Sequence, residues 1–227
     1  MFDRFLKIIS KEELEKIKNI KVLLIGIGGV GGYTLEALVR SGVECITIID
    51  NDVVEETNLN RQIVALHSTL NKYKTTVAKE RALDINPNAK INEIIKFIDK
   101  DNVNTIFDKE YDYIIDACDT ITTKVLLIKY AKENNIKIIS CMGTGNRLDP
   151  TKLNITKLNK TYGDPLAKVM RKLLKDNNIN LNIPVVWSSE ETIKTDSRTP
   201  GSSSLVPSVA GIYLATYVIN DVLTIET

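Results

Sequence analysis

Cysteine is scarce in this chain and badly spaced for metal work. Cys45, Cys118 and Cys141 make an odd number, with no CxxC pair among them. That excludes a disulfide framework and a four-cysteine zinc site. The single histidine, His67, reads as a helix-surface or capping residue rather than a base. Neither sign of charge dominates: 30 Lys+Arg face 29 Asp+Glu, a formal net charge of +1. With 43% hydrophobic residues, the composition lies far from that of chains that stay disordered. Met1 to Asn19 mixes Lys and Glu with apolar residues and lacks a signal-peptide h-region. Residues 199–220 carry no charge, yet they open on Thr-Pro-Gly-Ser-Ser-Ser and include Pro207, Ser208 and Thr216. A membrane span needs ~20 predominantly apolar residues. The expectation is therefore a buried core helix in a soluble, cytoplasmic protein with no membrane partner. No internal repeat or low-complexity tract is present, and 227 residues allow one large domain or one domain with a small appendage.

What the chain does have is alternation. Glu12–Lys18 reads as a short polar helix, and Lys21–Ile25 as a strand buried on both faces. Val30–Val39 has helical spacing closed by Ser41-Gly42, and Cys45–Ile49 is a second strand. Thr75–Ile85 is a helix stopped by Asn86-Pro87, and Lys90–Lys96 a strand. Tyr113–Asp116 is a strand, Lys124–Glu133 a helix and Ile136–Cys141 a strand. Beyond Gly143, strands at Leu153–Leu158 and Ile183–Ser188 flank a basic helix at Pro165–Lys175. Glu190–Ser204 is a polar loop and Val206–Leu223 the final helix. This order predicts an α/β, Rossmann-like doubly wound fold: a mainly parallel sheet with an elaborated C-terminal third. Residues 1–20 form an N-terminal helical arm, 21–142 a nucleotide-binding core, and 143–227 an extension on the substrate side ending in the final helix.

Gly26-Ile-Gly28-Gly-Val-Gly31 matches G-x-G-x-x-G between a strand and a helix. Glycines let the backbone turn tightly and approach phosphate oxygens, while the helix N-terminus adds positive potential. Asp50 ends the second strand, where a carboxylate accepts ribose hydroxyls. On spacing alone the default ligand is NAD.

The next segment argues for a nucleoside triphosphate instead. Asp50-Asn-Asp52 leads into Asn58-Leu-Asn60-Arg61-Gln62 and then Lys72-Tyr-Lys74. Triphosphates carry charge beyond what a glycine turn neutralises. Arg61 offers a planar fork, Lys74 a point charge, and Asn58 and Gln62 orientable donors. In Asp116-Ala-Cys-Asp119, Asp116 reads as a strand-end cap and Asp119 as a carboxylate for Mg²⁺, which takes one or two carboxylates plus phosphates. Taken singly, Arg61 and Lys74 would pass for surface residues; crowded around one crevice, they read as a site.

Together these residues resemble the ubiquitin-activating-enzyme-like (ThiF/MoeB) family. The resemblance implies ATP and Mg²⁺, and adenylation of a carboxylate. It implies that Asp50 takes the ribose, that Asp52 belongs to the nucleotide site, and that Asn58, Arg61 and Lys74 take the phosphates, with Asp119 on the metal. It further implies a homodimer in which Arg4 is lent to the partner's site. Met142–Pro150, Lys160–Ala167, Val186–Glu190 and Pro200–Pro207 then resemble the tRNA threonylcarbamoyladenosine dehydratase branch of that family. Asn71 stands where glycine often opens its segment.

The branch implies ATP-dependent cyclisation of N6-threonylcarbamoyladenosine at tRNA position 37, with a monovalent cation and a sulfur-transfer protein as further candidates. Activation through an acyl adenylate suits the chemistry, because the substrate's own ureido nitrogen can close the ring. No enzyme nucleophile is then needed, and the three cysteines are read as core residues. Between Thr151 and Asn180, seven Lys and Arg oppose two Asp. Lys160, Lys168, Arg171 and Lys172 are the candidate tRNA contacts there, since such faces attract phosphate backbones. The competing readings are adenylation of a ubiquitin-like sulfur carrier, a non-catalytic nucleotide-dependent module, and an NAD oxidoreductase.

Overall fold

The computed structural model describes residues 1–106, 110–197 and 199–225. Arg198 in the expected polar loop and the last two positions of the expected 143–227 extension lie outside them. In chain order the elements are α1 (Lys11–Asn19), β1 (Lys21–Ile25), α2 (Gly31–Arg40), β2 (Cys45–Ile49), α3 (Lys74–Ile85), β3 (Lys90–Ile94) and α4 (Val103–Ile106). They continue with β4 (Tyr113–Asp116), α5 (Ile121–Glu133), β5 (Lys137–Cys141), β6 (Leu153–Lys157), α6 (Pro165–Asp176), β7 (Pro184–Ser188) and α7 (Leu205–Val222).

The seven strands form one sheet in the order β3-β2-β1-β4-β5-β7-β6. Every pairing is parallel except β6 with β7. Side chains on a strand alternate between faces, and each central strand is apolar on both. Val22 and Leu24 of β1 join the core under α1, α2, α3 and α7, while Leu23 and Ile25 join the core under α4, α5 and α6. That double burial is what the unbroken Val-Leu-Leu-Ile run encodes.

Local chemistry sets the helix ends. Ser10 Oγ accepts from Glu13 N, and Glu13 Oε2 accepts from Ser10 N at 2.7 Å, a reciprocal capping box at α1. Asp164 caps α6 ahead of Pro165. β3 stops at Ile94 rather than at Lys96, because its ladder with β2 ends where Ile49 pairs with Ile94. α5 begins at Ile121, one turn before the expected Lys124, once Thr120 O accepts from Lys124 N.

α7 is the one helix among the described residues long and apolar enough to cross a membrane. Its buried side chains, Val206, Ala210, Leu214 and Val218 among them, instead complete the core beside α2. The approach is close at Gly211, where a Cβ would lie 2.3 Å from Val30 O. Thr34 Oγ1 also donates to Gly211 O at 3.0 Å.

Candidate functional site

The carboxyl ends of β1, β2 and β4 open on one crevice, the usual ligand edge of such sheets. Three glycines shape it for different reasons. Gly26 has φ +87°, and a Cβ there would meet Ala117 O at 2.8 Å; a Cβ on Gly31 would sit 1.8 Å from Gly26 O. Both positions are closed by the protein itself. Gly28 is the open one: the nearest atom to its Cβ position is Gln62 Nε2, at 3.9 Å. The start of α2 has no side-chain cap, although Gly32 N already donates to Gly28 O at 3.0 Å; helix starts of this kind favour anions.

Asp50 holds this loop in place. Its Oδ2 accepts from Ile27 N at 2.6 Å and its Oδ1 from Asp52 N at 2.8 Å. Burial pushes its pKa above the ordinary 3.8, against the pull of those donors and Lys74. Each oxygen keeps a lone pair, so the ribose role expected of it is compatible with the structural one.

The cations follow. Lys74 is buried at the start of α3 and reaches Asp52 Oδ2 at 2.8 Å. Arg61 is half-buried; its Nη1 donates to Thr57 O at 2.7 Å and Asn60 Oδ1 at 3.0 Å. Asn58 is buried, with Oδ1 accepting from Glu55 N, so it shapes the turn that presents Arg61. Gln62 is buried against the loop, with no partner for Oε1 among the described residues. Asn71 adopts φ +66°, the left-handed region that glycine favours and asparagine tolerates. The departure at that position therefore preserves the turn leading to Lys74.

Asp119 is exposed, and among the described residues its only side-chain hydrogen bond is with Thr120 Oγ1 at 3.4 Å. No cluster of three His, Cys, Asp or Glu suited to a metal occurs among the described residues. A lone accessible carboxylate fits Mg²⁺ that draws its other ligands from phosphates and water, and the open cradle at Gly28 fits a nucleotide.

Asp116 is no ligand. It forms a buried pair with Lys124, whose Nζ also donates to Cys141 O at 2.7 Å. Ser140 Oγ donates to Asp116 Oδ2, and Cys118 N to Asp116 Oδ1 at 3.2 Å. This network fixes the turn carrying Asp119. Lys124 was invisible as a site residue in the sequence, where a lysine near a helix start reads as surface. Burial and the Asp116 charge push the Cys118 thiol far up, and burial raises Cys141 to about 12, so neither is a thiolate near neutrality. His67 is exposed in a short 3-10 turn.

The distant motifs converge on the same mouth. Gly145 packs on Pro200, and Asn146 exchanges backbone and side-chain hydrogen bonds with Gly201. Asn60 Nδ2 donates to Ser202 O at 2.9 Å, and Pro207 stands against Gly29. Arg147 is buried and bonds Ser188 O and Asp164 Oδ2. Glu190 accepts from Leu148 N and Asp149 N.

Arg4 is exposed and lies apart from this crevice. Phe2, two residues before it, packs at Gly42, beyond the far end of α2. Ten helical residues, ~15 Å, separate that end from the glycine loop. Of the basic candidates, Lys160, Lys168 and Lys172 are exposed, whereas Arg171 is turned onto Thr161 O at 2.9 Å.

Residues 2–226 match the model of the ThiF family. A tRNA threonylcarbamoyladenosine dehydratase of Bacillus subtilis is 39% identical, over 95% of this chain and 91% of its own. One from Haemophilus influenzae is 42% identical over 83% of this chain and 73% of its own. The crystal structure of the Escherichia coli tRNA N6-threonylcarbamoyladenosine dehydratase, TcdA, in complex with ATP superposes with a TM-score of 0.93 at 32% identity. That match covers 98% of this chain and 93% of the other.

Proposed function

This chain belongs to the ThiF family, and on that footing we propose that it dehydrates N6-threonylcarbamoyladenosine in tRNA to its cyclic form, driven by ATP. The observation that carries the reading is the convergence at one sheet edge. An open glycine cradle, a buried lysine, an arginine fork and a free carboxylate meet there, on a backbone superposing with an ATP-bound dehydratase. The division of labour follows the sheet: residues 21–142 bind the nucleotide and 143–227 face the tRNA, while 1–20 form an arm.

A carboxylate is a poor electrophile because oxide would have to leave. Its oxygen attacks the α-phosphorus of ATP, diphosphate departs, and an acyl adenylate results. The ureido nitrogen of the same side chain then attacks the acyl carbon, loses its proton and expels AMP. The oxygen lost from the carboxylate leaves on AMP, so the net change in the nucleoside is loss of water. Ring closure within one side chain benefits from high effective molarity. Asp50 orients the ribose; Arg61, Lys74 and the α2 N-terminus hold negative charge as it develops on phosphate. Asn58 and Gln62 shape that wall. Asp119 would hold Mg²⁺, which would supply positive charge beside the phosphates.

Phe2 sits at the Gly42 end of α2, away from the glycine loop, and Arg4 follows two residues later, which supports a homodimer in which Arg4 serves the partner's nucleotide. The reading places the enzyme in the cytoplasm with its tRNA. It requires no sulfur-transfer protein, and it assigns no described residue to a monovalent cation.

The test is mass spectrometry of nucleosides from threonylcarbamoylated tRNA incubated with the protein, ATP and Mg²⁺. ATP-dependent loss of one water from the modified adenosine is the expected result. An unchanged nucleoside, with the same preparation adenylating a Gly-Gly-tailed carrier, would move the chain to the sulfur-carrier branch.

A further inference from the structure

Tyr162 is 63% exposed, yet the backbone beneath it is pinned on every side. Trp187, itself only 6% exposed, donates from Nε1 to Tyr162 O at 3.0 Å. The two rings meet edge to face, with centroids 4.7 Å apart at 66°, so Trp187 leaves a face of the tyrosine ring free. On one side Thr161 is buried, donating to Leu158 O and accepting from Arg171. On the other, past Gly163 at φ +66°, Asp164 is buried, caps α6 and accepts from Gly143 N at 3.1 Å. Pinned backbone under an exposed aromatic ring leaves little entropy to lose when something stacks on it.

The surroundings define what stacks. Lys160 and Lys168 are exposed on either side of the tyrosine in sequence, with Lys172 one helical turn further along α6. An aromatic face flanked by cations suits a nucleobase whose phosphates lie on the lysines. Trp187 lies near the carboxyl end of β7, and β7 is two strands from β4, which leads into the turn with Asp119. At ~4.8 Å per strand that puts the β7 backbone ~10 Å from β4, and the two run parallel, so the carboxyl end of β7 lies on the same edge of the sheet. A base drawn into the crevice for reaction leaves its neighbours unstacked.

We propose that Tyr162 is a stacking platform for an unpaired nucleobase next to the reacting adenosine. The platform rests on the tRNA reading above and adds to it the means by which the anticodon loop is held open.

The test uses the full chain and an anticodon stem-loop bearing the modified adenosine, with binding measured by fluorescence anisotropy at several salt concentrations. Tyr162→Ala should weaken binding about tenfold and Tyr162→Phe less than twofold, as expected for a stacked base. The salt slope should stay at the wild-type value because no charge is removed, and the KM for ATP should not change. RNA affinity equal to wild type in Tyr162→Ala overturns the platform alone. Parallel loss of ATP affinity overturns it too, by showing a general disturbance of the fold. If the wild-type chain binds no such RNA, the tRNA reading and the platform fall together. If it binds but does not convert the RNA, the dehydratase reading falls, and the Ala-to-Phe comparison still decides the platform.

Discussion

Lys124 Nζ lies 3.0 Å from Asp116 Oδ2, and neither side chain reaches solvent. Burial alone would lower the lysine pKa; attraction to Asp116 more than reverses this and leaves it above the ordinary 10.5. The sign follows directly: the stabilisation is fully present below 10.5 and is lost only as pH rises through the folded-state value. Removing one partner strands the other. Lys124→Met should cost about 3–5 kcal/mol in urea unfolding. The double variant with Asp116→Leu should recover a good part of that loss. A single-variant cost below about 1 kcal/mol would show that the pair is not holding the Asp119 turn.

The glycines should separate cleanly. Gly28→Ala adds a methyl to open space, so unfolding should shift by less than about 1 kcal/mol, while ATP affinity drops at least about tenfold if phosphate occupies that space. Gly31→Ala drives a Cβ into Gly26 O and should fail to give soluble, folded protein. Soluble yield of both variants, with calorimetry and ATP titration on the first, distinguishes them.

Asp119→Ala should leave the melting temperature within about 2 °C of wild type, since one weak contact is lost from an exposed side chain. Mg²⁺-dependent turnover should disappear. Arg61→Ala should weaken ATP binding by about 1.5–3 kcal/mol, the range for a hydrogen bond to a charged group. A turnover assay across Mg²⁺ concentrations checks the first, and isothermal titration with ATP the second.

Asp50 gives a pH signature with opposite signs for ligand and fold. Its pKa is raised, so ATP affinity should begin to fall at a higher pH than for a free aspartate as the carboxylate is neutralised. The stability contribution runs the other way. Between 3.8 and the folded-state value the native protein binds more protons, so Asp50 makes the fold less stable as pH rises through that window. Asp50→Asn should remove both dependences, read by ATP titration and urea midpoints from pH 4 to 7.

Cys118 and Cys141 should resist iodoacetamide at pH 7.5 in the native protein and label on unfolding. A pKa of about 12 leaves only ~10⁻⁴ to 10⁻⁵ of the Cys141 thiol ionised there. Replacing Cys45, Cys118 and Cys141 together with Ser or Ala should preserve turnover wherever the fold survives. A folded, inactive triple variant would bring covalent catalysis back.

Much of this architecture was legible before any coordinates. β1, β2 and β4 lie where the sequence shows runs rich in Val, Leu and Ile, as strands buried on both faces do. The candidate nucleotide residues stood out in the sequence by crowding between β2 and α3. What escaped the sequence depends on tertiary contact. α4 is a single turn stabilised by Val103 and Ile106 in the core. The limit of β3 is set by its neighbour's length, not by its own residues. Lys124 looks like any helix lysine until β4 and β5 place Asp116 and Ser140 beside it. The restraint of Arg171 by Thr161 and the pinning of Tyr162 by Trp187 likewise join segments that no spacing rule connects.

The seat of α7 on the glycine helix has a consequence for the order of synthesis. Thr34 and Gly211 bond across 177 residues, so a ribosome working at about 5–20 residues per second needs roughly 10–35 s to supply the second after the first. Until then α2 lacks the helix that fits against Val30 and Tyr33, and the phosphate loop at its head has no settled backing. Nascent chains would therefore not compete for ATP, and the nucleotide pocket would be among the last parts of the protein to mature.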